Sequence, residues 1–235
     1  MTLPRAPRVS VTVLLAFAAA GCGVTRLQTA RTIPAGETRT TVAATLVRND
    51  LRDDFAVTDV PIDVMVRHGI TSRTDLGVRT FFGFGLLTDV KWNLLDPARR
   101  TALAISGGFG AAVDPSATNA TTILHVPLTV TLSRDLSSWL ACYGAVGYGT
   151  FWIIGHGDRD PTMIYADRTL TGDGLVDLHV GLELSTSTGR AVLFEYGHIR
   201  PIVNDPGDLY SFTTSHLFSI AFRTGRGTGP PALSR

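Results

Sequence analysis

The chain has 235 residues, of which 17% are charged, and its formal net charge is +1. That charged fraction is well under the roughly 25% of soluble domains, and a near-neutral chain with no long basic run argues against a nucleic-acid partner. Beyond the N-terminal region no stretch reaches the about 18 apolar residues of a spanning helix, so a hydrophobic chain of this kind fits a membrane barrel, whose apolar residues are dispersed by alternation.

Residues 1–21 read as an export signal. Arg5 and Arg8 form a positive n-region, residues 11–20 (VTVLLAFAAA) form a short apolar core, and Ala19-Ala20-Gly21-Cys22 closes it. An apolar core of this length is too short to cross a bilayer. The last four residues resemble the lipobox of bacterial lipoprotein precursors. The resemblance implies cleavage before Cys22, a diacylglyceryl thioether on its sulfur (the palmitate-bearing lipid of that family), and handling by the lipoprotein export machinery. Gly23 after the cysteine is compatible in that family with delivery to the outer membrane. Residues 22–37 contain Pro34 and Gly36 and have no apolar period, so they read as a lipidated N-terminus with a periplasmic tether.

Strands taken as alternating runs between turn formers fall at residues 38–47, 61–70, 75–82, 86–95, 101–112, 121–133, 139–152, 174–185, 191–203 and 212–223. Residues 48–60 read as a connection. Residues 224–235 (TGRGTGPPALSR) read as a flexible tail, since their Gly and Pro content does not suit a strand. The fold class this predicts is all-β, a closed antiparallel up-and-down transmembrane barrel of about ten strands over residues 38–223. The turns 71–74, 96–100, 134–138 and 186–190 are short and fall at one end, while the four long connections fall at the other together with one short exception, residues 83–85. That asymmetry is the one outer-membrane barrels show between periplasmic turns and external loops. Together these features resemble the small outer-membrane barrels of Gram-negative bacteria, with SHLFSIAF placed like their terminal assembly signal. The resemblance implies an exported protein of the cell outer membrane, with the barrel-assembly machinery, outer-membrane lipids and lipopolysaccharide as partners.

The run 174–185, GLVDLHVGLELS, shows the pattern most clearly. Val176, Leu178, Val180, Leu182 and Leu184 share one parity, and Asp177, His179, Gly181 and Glu183 share the other. Neighbouring strand residues point to opposite faces, so one face is apolar and the other ionisable. The apolar faces would meet lipid and the polar ones the lumen. Phe82, Trp139, Phe151, Trp152, Phe212 and Phe222 lie near strand ends, where interfacial aromatic girdles belong.

The inward parity collects Asp63, Asp89, Asp177, Glu183 and Glu195 with Arg67, Arg79 and Lys91. Charges of both signs in a narrow lumen should pair and plug it. A hairpin centred on Phe84 would make Arg79 and Asp89 cross-strand neighbours. The function this predicts is a lipid-anchored barrel with a structural, interaction or narrow-passage role.

The rival reading is a barrel hydrolase. Glu195, His198 and Arg200 faintly resemble the outer-membrane lipid A deacylases, whose wall carries His-x-Ser with a nearby Glu. Arg200 stands where the nucleophile belongs, and Glu195 and His198 have opposite parity. His198 and Arg200 then read as contacts to lipid headgroups. Residues 153–173 hold Gly155-His156-Gly157-Asp158-Arg159-Asp160, loop groups of the kind an omptin-like protease uses, without a matching pair elsewhere. Residues 171–174 lack the ligand spacing of a calcium loop, and no metal or cofactor site is predicted. Cys142 shares the lipid-facing parity and reads as packing.

Overall fold

The computed structural model describes residues 25–51, 54–81, 85–114, 121–155, 173–187, 189–202 and 214–225. The signal region 1–21, Cys22, the loop residues from His156 to Gly172, Phe82, Phe84, Phe212 and the tail beyond Gly225 lie outside them.

Among the described residues eleven strands run in chain order: β1 (Thr38–Leu51), β2 (Asp54–Asp59), β3 (Ile62–Gly69), β4 (Thr74–Phe81), β5 (Gly85–Asn93), β6 (Thr101–Asp114), β7 (Thr121–Asp135), β8 (Leu140–Gly155), β9 (Asp173–Ser185), β10 (Ala191–Ile202) and β11 (Ser215–Gly225). Every pairing is antiparallel, and β11 returns to β1 from Arg39↔Gly225 to Asn49↔Ser215, which closes the wall. A closed wall leaves no unpaired sheet edge, as a strand structure in lipid requires.

The barrel has ten wall positions because β2 and β3 occupy one of them in turn. β3 pairs with the lower half of β1 and β2 with its upper half, with a register shift between Val47 and Arg48. Val60 and Pro61 interrupt the stave, and Thr45 N donates to Pro61 O at 3.1 Å. Most of the connection expected at residues 48–60 is therefore strand. Backbone pairing continues there without the apolar face that alternation reports.

The apolar parity is outside. Along β9, Val180 is 51% exposed while its neighbour His179 is 0% exposed. The same outward belt continues through Val42, Val66, Val78, Val90, Leu128, Val146, Phe194 and Ile220. An apolar exterior around a buried polar interior is the inverse of a water-soluble barrel and matches a lipid-facing wall. Trp139 and Phe222 are exposed near the short-turn end. Phe151 departs from the girdle expectation. It shares the inward parity of Tyr143 and Ala145, stacks on His125 with ring centroids 4.0 Å apart, and packs against two buried clusters, Leu87 with Ala112 and Val47 with Leu175, Ile199 and Leu217.

Candidate functional site: a charged lumen threaded by the N-terminal segment

Residues 25–37 do not hang below the wall as a tether. They run inside it. Their buried residues, Thr25, Arg26, Leu27, Thr29, Ala30 and Ile33, are ones an external tether would expose. The segment descends from mid-lumen to the short-turn mouth, where Ala35 bridges Gly69 and Glu37 N donates to Pro34 O at 3.0 Å. Gly36 adopts φ +80° at this bend, a conformation that favours glycine. β1 then climbs in the wall.

An extended segment inside a barrel must find partners for its own amides and carbonyls, and the inward charges supply them. Glu195 accepts from Arg26 N at 2.8 Å, from Leu27 N at 2.6 Å and from the Tyr143 hydroxyl at 2.9 Å. His179 Nδ1 lies 3.0 Å from the same carboxylate, and His179 Nε2 lies 3.2 Å from Asp177 Oδ1. The Arg26 guanidinium grips Asp177 in a fork, Nε to Oδ1 at 3.1 Å and Nη2 to Oδ2 at 2.6 Å. Charge-assisted and bidentate bonds of this kind are the stronger class.

Below this centre, Thr25 donates to Asp63 at 3.1 Å and Arg79 donates to the Thr25 carbonyl. Lys91 Nζ donates to Arg31 O at 2.7 Å and Thr29 O at 3.2 Å. Ile33 N donates to Asp75 at 3.0 Å, and Ala30 N to Ser133 Oγ at 3.2 Å. At the mouth Arg31 pairs with Asp135 and donates to Pro97 O at 3.0 Å and Arg99 O at 2.7 Å.

All eight residues of the expected lumen network carry inward parity, but their pairing differs. Arg79 and Asp89 are not register partners. The β4–β5 hairpin turns one residue earlier than expected, with Phe81↔Gly85, so Arg79 faces Leu87 and Asp89 faces Gly77. Arg67 takes Asp89 instead, with Nη1 at 2.8 Å from Oδ2, and reaches Asp75 through Nε at 2.8 Å. Lys91 lies 3.4 Å from Asp75. Glu183 pairs with Arg223, with Nη1 to Oε2 at 2.8 Å.

Glycines opposite these side chains make the room. A methyl group at Gly147 would overlap the Arg26–Asp177 pair, and one at Gly77 would overlap Arg67 and Asp89. Above the charged layer, Val47, Leu175, Ile199 and Leu217 pack with Phe151 into an apolar cluster on the side of β1 and β8 to β11. Asp75, Tyr143, Arg223, the partners of His179 and the N-terminal segment escape a reading made strand by strand. One signal did exist: the inward acids outnumber the inward bases, and Arg26 and Arg223 are the missing cations.

His198 and Arg200 lie on the opposite face from Glu195. His198 pairs in register with His216 at a ring distance of 5.0 Å, and Arg48 is the next partner in the same row. Tyr196 and His216 join through a 2.7 Å hydrogen bond. Glu195 and His198 therefore cannot act on one substrate atom. The contacts described for His179 are to carboxylates, and no hydroxyl or thiol nucleophile is among them. Cys142 is partly exposed and not in a disulfide. Among the described residues no cluster of metal-ligating side chains occurs.

No protein-family model matches the chain, and no curated protein matches it. Solved structures do. Ail, the attachment invasion locus protein of Yersinia pestis, aligns at 9% identity over 81% of this chain and 99% of its own, with a TM-score of 0.35. The outer membrane protease OmpT of Escherichia coli aligns at 10% identity over 83% and 96%, with a TM-score of 0.44. Neisserial surface protein A aligns at 7% identity over 80% and 95%, with a TM-score of 0.37. The barrel assignment here rests on this chain's own closed register and inverted burial.

Proposed function

We propose that the protein is an outer-membrane barrel with a closed lumen and a structural or interaction role; lipid anchoring at Cys22, three residues before the lumen-buried Thr25, would require the N-terminal segment to leave the lumen. The observation that supports this reading best is the pairing of an apolar exterior with a polar interior filled by the chain's own residues 25–33. A lumen so occupied is built to be shut rather than to conduct. Delivery would use the lipoprotein export and barrel-assembly machineries. Heat-modifiable gel mobility in isolated outer membranes tests the barrel, and migration unchanged by heating would reject it. Mass spectrometry tests the anchor: an acylated N-terminus at Cys22 is expected, and loss of lipid labelling in Cys22→Ala. A mature N-terminus elsewhere would refute it.

On the outer wall, Arg48, His198, Arg200 and His216 lie at the end opposite the short turns, which this reading places in the external leaflet. Arginine and histidine side chains at that depth can donate to the phosphates of lipopolysaccharide. Arg200→Glu should reduce co-purifying lipopolysaccharide, and an unchanged amount would remove this contact from the proposal.

A further inference from the structure

Three of the groups that receive residues 25–33 are held in place by the wall itself. Glu195 is fixed by Tyr143 and His179, Asp177 by His179, and Asp75 by Arg67 and Lys91. None of these holding contacts involves the N-terminal segment. A site whose polar groups are already oriented binds without the cost of ordering them.

The site also reads its occupant in several ways. It takes main-chain amides at residues 26, 27, 30 and 33 and main-chain carbonyls at 25, 29 and 31. It takes one arginine side chain between β8 and β9, where Gly147 leaves space for it. Leu27 enters an apolar pocket with Tyr143 and Leu193. Ala30 is 0% exposed against Ala102 and Ala104 of β6, so a larger side chain has no room there. The apolar cluster of Val47, Leu175, Ile199 and Leu217 lines the far end on the side of β1 and β9 to β11, and the bend at Ala35 and Gly36 puts the way in at the short-turn mouth.

We infer that the lower lumen is a binding site for an extended peptide, and that residues 25–33 are its resident, exchangeable ligand. The peptide class it fits enters N-terminus first, presents Arg followed by an apolar residue, and carries a small residue three positions after the apolar one. This inference rests on the closed-lumen reading above and gives the interaction role a partner chemistry. An exchangeable occupant is consistent with how the segment is held: mostly by ion pairs and hydrogen bonds, with three small or mid-sized apolar contacts at Leu27, Ala30 and Ile33.

A protease site introduced at the exposed bend of residues 34–36 allows the folded full-length chain to be nicked. High-salt gel filtration in detergent, which also solubilises an acyl chain on Cys22, followed by mass analysis then shows whether the N-terminal fragment leaves. Heat-modifiable mobility of the same sample reports the barrel independently, so failure of peptide binding is distinguishable from failure of the barrel reading. The expected result is release of the fragment with the barrel intact, and saturable rebinding of a fluorescent TRLQTARTI peptide. Arg26→Ala in that peptide should weaken binding at least about tenfold, the effect of one strong charge-assisted contact, and Ala30→Trp should abolish it. In the uncut chain, Arg26→Ala with Leu27→Ala should admit the peptide that the wild type excludes, which serves if the inserted site disturbs folding. A fragment that leaves only when the barrel unfolds, or equal binding of the three peptides, would overturn the inference.

Discussion

Arg26 and Asp177 are 151 residues apart in sequence and form a forked ion pair near the centre of the lumen. Both side chains are buried, at 6% and 4% exposure. Separating such a pair by removing one member leaves a charge in a poorly solvated place, at a cost of about 3–5 kcal/mol. Arg26→Ala is therefore expected to lower the temperature at which the barrel loses its compact gel mobility. Removing Asp177 as well should recover part of that loss. Two losses that simply add would show that the pair is not coupled.

The charge pairing on β3, β4 and β5 yields a second expectation. Arg67 lies against both Asp75 and Asp89, whereas Arg79 is spent on the Thr25 carbonyl. In double-mutant cycles, Asp89→Ala and Arg67→Ala should be non-additive by about 0.5–3 kcal/mol, the range for residues in contact. Asp89→Ala and Arg79→Ala should couple more weakly than that pair, because Arg79 makes its hydrogen bond to the Thr25 carbonyl. Urea titration of folded protein in detergent measures both, and the reverse ordering would contradict the register of this hairpin.

That register also shows what a sequence can disclose. Alternation in residues such as Val176 to Leu184 reports which face each side chain takes, because the strand period is two and one face meets lipid. It does not report which residue lies opposite, since that depends on where a turn reverses. At the β4–β5 turn a shift of one residue moved Asp89 from Arg79 to Gly77 and left every face unchanged. Residues 25–33 were illegible for a different reason. They carry no period because they pack against a lumen through main-chain groups, and main-chain groups have no sequence signature. Only the surplus of inward acids pointed to them. His179 was visible as an inward residue, but its place between Asp177 and Glu195 required the β9–β10 register.

Adjacent residues on β9 provide a test of the wall's two faces. Val180 faces lipid, and Arg in its place should cost about 2–4 kcal/mol near the midplane. The sequence alone suggests a milder effect at Gly181, where the lumen would have room. The Tyr143 ring removes that room: even a methyl group at 181 would overlap it and disturb its bond to Glu195. Gly181→Ala is expected to cost about 1–3 kcal/mol through overpacking, and Gly181→Arg more. Full tolerance at 181 would mean that Tyr143 does not pack across the lumen.

The lumen is obstructed at two levels that mutation can separate. Residues 25–33 occupy the lower lumen, while the cluster of Val47, Leu175, Ile199 and Leu217 and that of Leu87 and Ala112 both meet Phe151 in the upper part. Ions avoid an apolar constriction because entering it strips their hydration without replacing it. The wild type is therefore expected to show no steady current in a planar bilayer. Arg26→Ala loosens only the lower closure, so it should stay silent as well. Combining it with Leu217→Ser and Ile199→Ser places hydroxyls in the upper layer and should permit current. Steady current from Arg26→Ala alone would show that the apolar layer does not seal, and silence in the combined variant with an intact heat shift would show that the two layers are not the whole barrier.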